Sequence, residues 1–283
     1  MKILLLGAAG FIGTNLTIEL AKKTEDEITL VDRSKAFFKP IVSMDLKNVH
    51  ILEADLTVDM DFDSILKDQE VVYHLVSTTV PTTSNQHISQ ELVSNVIFSA
   101  NLFEACIRCG VKKVVFVSSG GTVYGKEVDC PLKEKTATNP ISSYGVQKIT
   151  IEKLLYLYRY MYGLDYRIIR LANPYGPYQR PNGVLGAVTT FTYKALKGDE
   201  ITVYGDGSVV RDFIYLMSAE WWKAAGIRAA KTMFQTGAAL VVTQMPGGTV
   251  DWVAVGSAAI VAGVASLGTS LAGLPELEKG DKA

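Results

Sequence analysis

The chain has 283 residues, 48% of them hydrophobic, and its 28 Lys and Arg against 29 Asp and Glu leave a formal charge of -1. A chain this long and apolar buries a real core, as one large domain or two ordinary ones, which excludes intrinsic disorder and collagen. The near-neutral balance offers no broad basic field for nucleic acid, and three cysteines are too few for a disulfide framework, so a reducing compartment is expected.

Up to about residue 172, short β-rich runs alternate with longer amphipathic stretches, the signature of βαβ units and a parallel sheet. Strands are predicted near Lys2 to Leu6, Ile28 to Val31, Val49 to Glu53, Val71 to Leu75, Lys113 to Ser118 and Tyr166 to Leu171. They read as continuous apolar runs because both faces of such a sheet are covered. Helices are predicted after Gly10, from about Ser89 to Arg108, and from about Ser143 to Tyr162. Beyond Asn173 the texture turns Pro- and Gly-rich; a short helix over about Leu185 to Lys197 and strand-like pieces at Ile201 to Tyr204 and Val209 to Leu216 follow.

Between the first strand and first helix lies Gly7-Ala8-Ala9-Gly10-Phe11-Ile12-Gly13, a Gly-x-x-Gly-x-x-Gly loop. Glycines there permit a tight turn, close approach of backbone to a pyrophosphate and close helix–strand packing, while the helix N-terminus supplies N–H groups and a positive dipole. Asp32 ends the second strand, 19 residues after Gly13, where a carboxylate accepts both ribose hydroxyls. That points to NAD rather than NADP, because the carboxylate repels a 2'-phosphate; Arg33 is its neighbour. Asp55, followed by Leu56 after the third strand, either reaches the adenine or caps a helix. His74, at the end of the fourth strand, is expected to line the cofactor site.

Tyr144-Gly145-Val146-Gln147-Lys148 places Tyr and Lys four apart, on one face of a helix. A phenol with an ordinary pKa of about 10 is a poor base at neutral pH, and a nearby ammonium stabilises its phenolate. Upstream, Val117-Ser118-Ser119-Gly120-Gly121-Thr122-Val123-Tyr124-Gly125 closes the fifth strand, where a doubly wound sheet places its ligands.

With these residues in place, residues 1–216 resemble the extended short-chain dehydrogenase/reductases, within the NAD-dependent epimerase/dehydratase family, and among them the nucleotide-sugar epimerases similar to UDP-glucose 4-epimerase. The resemblance rests on the glycine loop, Asp32, His74-Leu75, Asn95, the Ser-Ser-Gly-Gly-Thr-Val-Tyr-Gly run, Tyr144 with Lys148, Asn173-Pro174-Tyr175-Gly176-Pro177, and Val210-Arg211-Asp212-Phe213-Ile214-Tyr215. It implies that Tyr144 removes a sugar hydroxyl proton as hydride passes to NAD, and that Lys148 holds the nicotinamide ribose and depresses the Tyr144 pKa. Asn95 falls among the cofactor contacts, and Asn173 and Arg211 among those to a UDP-sugar. The position four before Tyr124, where many relatives carry a catalytic Ser or Thr, is Gly120; Ser119 or Thr122 is then left to orient the hydroxyl. The resemblance also makes a homodimer through the helices at 89–108 and 143–162 an expected partner arrangement. Cys106-Ile107-Arg108-Cys109 is read as packing thiols at a helix end, and no metal is assigned.

At Met217 the pattern breaks. Residues 217–283 carry five acids and five bases, leaving 24 acids and 23 bases to the first 216 residues, and Thr232 to Pro275 holds a single charge, Asp251. Trp221 and Trp222 precede Lys223, Arg228 and Lys231, a charge-free run reaches Met245, Pro246-Gly247-Gly248 makes a turn, and Trp252 to Leu274 runs 23 residues without a charge. That length suffices for a transmembrane helix across about 30 Å of hydrocarbon, and Ala254, Ala258, Ala262, Ser266 and Ser270 recur every four residues as a small-residue packing face. The segment resembles small phage holins with two membrane helices, through Trp222 to Thr232, Val250 to Trp252 and Ser270 to Glu276.

The expected fold class is therefore α/β: a Rossmann-like doubly wound NAD-binding domain at 1–172, a partial substrate lobe at 173–216 and a holin-like two-helix membrane tail at 217–283. The whole reads as a chimera, a truncated UDP-sugar epimerase on the cytoplasmic side held at a membrane, with the sixth strand left as an unpaired apolar edge. Two other readings fit the same residues, a membrane protein carrying an inert enzyme remnant and an artefact of joining two sequences.

Overall fold

In the computed structural model the described residues are 1–81, 84–126, 128, 130–181, 185–203, 206–208, 210–216, 219–244 and 250–271, with side chains omitted at 219–229 and 267–271. Six strands, β1 (Lys2–Leu6), β2 (Glu27–Asp32), β3 (Val49–Glu53), β4 (Val71–His74), β5 (Lys113–Ser119) and β6 (Asp165–Leu171), form one parallel sheet in the order β3-β2-β1-β4-β5-β6. Each prediction falls within a residue or two of its strand. β1 is the axis: Leu6 pairs with Val31 of β2 on one side and His74 of β4 on the other, so strand order reverses there. Alternate residues of β1 face opposite ways. Leu4 and Leu6 join Phe62, Phe98, Leu102, Phe103, Phe116, Ile151 and Leu155 in one buried cluster.

The helices start and stop where local chemistry directs. α1 (Phe11–Lys23) begins at Gly10, with neither a side-chain cap nor an acid in its first turn. Two elements shorter than two turns, α2 (Lys39–Val42) and α3 (Phe62–Leu66), escape a periodicity reading, as does the 3₁₀ turn Lys35–Phe38. Asp61 caps α3, accepting from the Ser64 N–H at 3.3 Å, which removes the capping alternative for Asp55. The helix predicted over 89–108 is built from α4 (Ile88–Glu91), a π-helical turn (Leu92–Ile97) and α5 (Phe98–Arg108). α6 (Ser143–Tyr162) is capped by the Ser142 hydroxyl, which accepts from Gly145 N–H at 3.2 Å, and it ends at Gly163 with φ +75°. At that φ glycine carries no Cβ penalty.

By internal contacts the chain divides into two units, Met1–Pro174 with Val210–Ile214, and Tyr175–Val209 with Tyr215–Ala283. The first holds the six-stranded sheet. β6 ends the strand order, and its Ile169 is 45% exposed, as expected of an apolar edge. β7 (Pro174–Tyr175) and β8 (Ile214–Tyr215) form a separate two-stranded ladder. The longer strands expected at 201–204 and 209–216 shrink to β8: residues 201–203 are exposed and irregular, and Tyr204 and Val209 lie outside the described residues. α7 (Ala187–Lys197) matches the short predicted helix.

In the second unit, α8 (Ala219–Gln244) packs against α9 (Trp252–Leu271). Asp251, the one charge in the apolar tail, caps α9 by accepting from the N–H groups of Val253 and Ala254, both at 3.0 Å. The packed face of α9 departs from the predicted stripe at the start of the helix and meets it at Ser266. Val255 and Ala259 lie toward Gly237, and Ser266 accepts from Thr232 Oγ1 at 3.4 Å, whereas Ala254 is exposed. A strict four-residue repeat drifts around a helix of 3.6 residues per turn, so Ala254 rotates off the contact. Phe234, Val253 and Val261 are exposed.

The transmembrane expectation is corrected: no helix among the described residues is long and apolar enough to cross a membrane. In α8 only Thr232 to Gln244 is free of charge, which spans roughly 20 Å at 1.5 Å per residue. Met217, the Pro246-Gly247-Gly248 turn and Ala272 to Leu274 lie outside the described residues, as do the side chains of Trp221, Trp222, Lys223, Arg228 and Ser270.

Candidate active site

The site residues from the first unit collect at the carboxyl ends of the strands. Gly7 follows β1 with φ +77°, and a Cβ there would come within 3.1 Å of the Val76 backbone nitrogen. At Gly13 a Cβ would stand 2.4 Å from the Ala8 carbonyl oxygen, so only glycine lets α1 fold back on the loop. Gly10 differs. Its Cβ would meet only Gly7 O, at 3.4 Å, so the protein itself leaves room that close backbone approach to a ligand would use. With Phe11, Ile12 and Gly13 opening an uncapped, acid-free helix, the loop fits a pyrophosphate.

Asp32 ends β2 with its carboxylate turned to the loop, accepting from the N–H groups of Ala9 at 3.1 Å and Arg33 at 2.9 Å. The Arg33 guanidinium lies over the Phe37 ring, 5.4 Å from its centroid. Asp55 and Leu56 follow β3 at the sheet edge, and Leu56 packs against the core. Four strand spacings separate β3 from β5, roughly 19 Å, the reach of an extended dinucleotide rather than a mononucleotide.

Tyr144 and Lys148 occupy successive turns of α6. Lys148 is 6% exposed; its Nζ donates to Val117 O at 3.0 Å and sits 4.8 Å from the Phe116 ring centroid and 5.5 Å from that of Tyr144. Burial pulls the Lys148 pKa down to about 8 against the opposing pull of Glu152. Burial also raises the Tyr144 phenol above its ordinary value.

His74 donates to or accepts from Ser99 Oγ at 2.8 Å, with Nδ1 buried and unpartnered among the described atoms. Burial, then the Lys148 charge, lowers its pKa from 6.5 to about 3. The imidazole stays neutral in the folded chain, whereas the unfolded chain binds a proton below pH 6.5. Stability is therefore full above pH 6.5 and falls as the pH drops toward 3, by about 1.4 kcal/mol per unit from this group. Urea midpoints measured from pH 7 to 4 are expected to fall more steeply in the natural chain than in His74→Gln; equal slopes would exclude His74 as the source.

Asn95, in the π-helical turn, is engaged on three sides. Its Nδ2 donates to Thr78 Oγ1 at 2.8 Å and Glu91 O at 2.9 Å, and its Oδ1 accepts from Thr78 N–H at 2.9 Å. It holds the loop after β4. Gly120 explains the missing catalytic hydroxyl: a Cβ there would lie 2.9 Å from Arg170 O on β6. Ser119 ends β5, while Thr122 Oγ1 is enclosed without a partner among the described atoms and the Thr122 carbonyl leans on Gly145. Asn173 Nδ2 donates to Asp212 O at 2.9 Å, bringing it beside Arg211, which is exposed. Cys106 is buried and its thiol pushed up by burial; among the described residues no His, Cys, Asp and Glu cluster could hold a metal ion.

The structure adds groups that a sequence reading passes over. Glu152, one turn past Lys148 on the same face, is 6% exposed and accepts from Ser118 Oγ at 2.6 Å and Arg170 Nη2 at 2.6 Å. Arg170 reaches on to the Tyr124 hydroxyl at 3.0 Å. The Tyr144, Lys148, Glu152 spacing of four was the available signal. Glu91 and Gln147, in a second buried network, left none.

The NAD dependent epimerase/dehydratase family model matches residues 3–217, and the phage r1t holin model of Lactococcus lactis matches residues 218–281. A UDP-glucose 4-epimerase of Mycolicibacterium smegmatis is 35% identical over 219 residues, covering 76% of this chain and 70% of that protein. Among solved structures, the UDP-glucose 4-epimerase of Thermotoga maritima with UDP-glucose has a TM-score of 0.70 at 33% identity, covering 80% of this chain and 72% of that one. The UDP-glucuronic acid 4-epimerase of Bacillus cereus with UDP-glucuronic acid and NAD has a TM-score of 0.68 at 29% identity, over 81% and 73% of the two chains. The cofactor is NAD, and the chain belongs to the NAD-dependent epimerase/dehydratase family.

Proposed function

We propose that the chain interconverts the C4 epimers of a UDP-sugar. The observation that carries this is the Tyr144 and Lys148 pair on one face of α6, anchored on Val117 O at the end of β5. Tyr144 accepts the proton of the sugar 4-hydroxyl and returns it after the 4-keto sugar has turned its other face. Bound NAD supplies the acceptor and then the donor of the C4 hydride. Lys148 stabilises the Tyr144 phenolate and holds the cofactor's ribose, and Ser119, rather than the enclosed Thr122, orients the reacting hydroxyl. Asn173 and the exposed Arg211 guanidinium hold the diphosphate end of the substrate. Asp55, Leu56, His74 and Asn95 shape the cofactor side. The enzyme occupies residues 1–216, and α8 and α9 belong to the segment that follows it.

The pH dependence follows from one shared proton. Phenolate beside ammonium holds the same single proton as phenol beside amine, so the working state grows as the pair loses its first proton near 8. His74, buried and neutral, and Glu152, held by Arg170, are the other titratable groups around Lys148. Turnover at low substrate is expected to rise up to about pH 8 and level off. In Lys148→Arg the cation never discharges, and the rise moves up with the Tyr144 phenol, above its ordinary value of about 10. A rate flat from pH 6 to 9 in the natural chain would contradict the pairing.

A further inference from the structure

We infer that Glu91 is a positioning residue for Tyr144, a role that rests on Tyr144 being the proton acceptor proposed above. Glu91, the last residue of α4, is 9% exposed, and one of its carboxylate oxygens, Oε2, accepts from Ser143 Oγ at 2.8 Å and Gln147 Nε2 at 3.1 Å. These residues stand immediately before Tyr144 and three after it, both on the buried side of α6. Gln147 Nε2 also donates to Ser143 Oγ at 2.8 Å, closing a triangle of three side chains.

Two more contacts fix the same turn. The Ser143 N–H donates to Asn85 Oδ1 at 2.9 Å, and Thr79 Oγ1 donates to Gln147 Oε1 at 3.3 Å, so the loop after β4 grips the start of α6 from two points. The helix turn that carries Tyr144 is therefore set by side chains 52 to 68 residues away in sequence, with Glu91 as their hub. A buried carboxylate that accepts two side-chain donors costs stability if either is lost, so the cluster has one well-defined geometry. Misplacing a reacting group by about 1 Å costs about 100-fold in rate, which makes such a hub matter to turnover without touching the substrate.

The test compares Glu91→Ala, Glu91→Gln and Ser143→Ala in the full-length chain with NAD and UDP-galactose. Gln is isosteric and its amide oxygen can accept both bonds. Glu91→Ala is expected to lower kcat by about 10- to 100-fold with KM and NAD affinity within about twofold, and Glu91→Gln to recover kcat to within about threefold. Ser143→Ala, which removes the two bonds of the triangle that meet at Ser143 Oγ and leaves Gln147 Nε2 on Glu91, is expected to lower kcat partway and serves if Glu91→Ala does not fold. Unchanged kcat in Glu91→Ala or Ser143→Ala, or an equal loss in Glu91→Gln, would overturn the role. Amide hydrogen exchange separates this from the function itself. Faster exchange at 143–147 in Glu91→Ala or Ser143→Ala, with 154–162 unchanged, supports the clamp even where the natural chain turns over no UDP-sugar; unchanged exchange at 143–147 overturns it.

Discussion

Tyr144→Phe is expected to lower kcat for UDP-sugar epimerisation by about a thousandfold while leaving NAD affinity and folding stability close to those of the natural chain. The substitution keeps the ring that Lys148 faces at 5.5 Å and removes only the oxygen that carries the proton. General acid–base groups typically contribute about 10² to 10⁴ in rate, and here the same oxygen serves both directions of the proton transfer, which places the loss well inside that range. Steady-state kinetics paired with an NAD titration checks it. A variant that keeps a tenth or more of the natural kcat would remove Tyr144 from the chemistry, whereas a parallel loss of NAD binding would assign it to cofactor binding.

The largest expected stability effect lies one turn further along the same helix. Glu152→Ala is expected to cost about 3–5 kcal/mol, because it strands the Arg170 guanidinium, whose side chain is only 19% exposed, and leaves Ser118 Oγ without its acceptor. Arg170 would retain Tyr124 and the Glu134 carbonyl, neither of which carries compensating charge. Removing both charges together is a different perturbation. The double variant Glu152→Ala with Arg170→Met is expected to recover a substantial part of the loss, since the penalty of an unpaired buried charge disappears with the charge. Urea unfolding of the natural chain and both variants decides this. Equal losses in the single and double variants would mean the pair acts through packing alone.

The strand positions are legible because both faces of the sheet are covered, so Leu4, Leu5 and Leu6 are all fully buried and the run has no polar gap. Local chemistry also marks the ends of α6, Ser142 at its start and Gly163 at its end. What escapes depends on groups distant in sequence. The π-helical turn at 92–97 exists around Asn95, whose amide is satisfied by Thr78, 17 residues earlier. Gly120 looks like a lost catalytic hydroxyl until β6 is seen to leave no room for a Cβ. The Tyr144 pKa illustrates what spacing alone cannot weigh: the helix face brings Lys148 near, and burial of the phenol raises its pKa. In the tail, composition identified two helices, while the face by which α9 meets α8 and the capping role of Asp251 required coordinates.

The proposed function is tested most directly by following UDP-galactose with the purified chain and NAD by proton NMR of the anomeric signals, while absorbance reports NADH. The account predicts that UDP-glucose accumulates to an equilibrium ratio over many turnovers with no net NADH, because the hydride taken from C4 is returned to the same carbon. Accumulation of NADH in step with product, or a folded, NAD-binding chain that leaves the UDP-galactose signal unchanged, would contradict it.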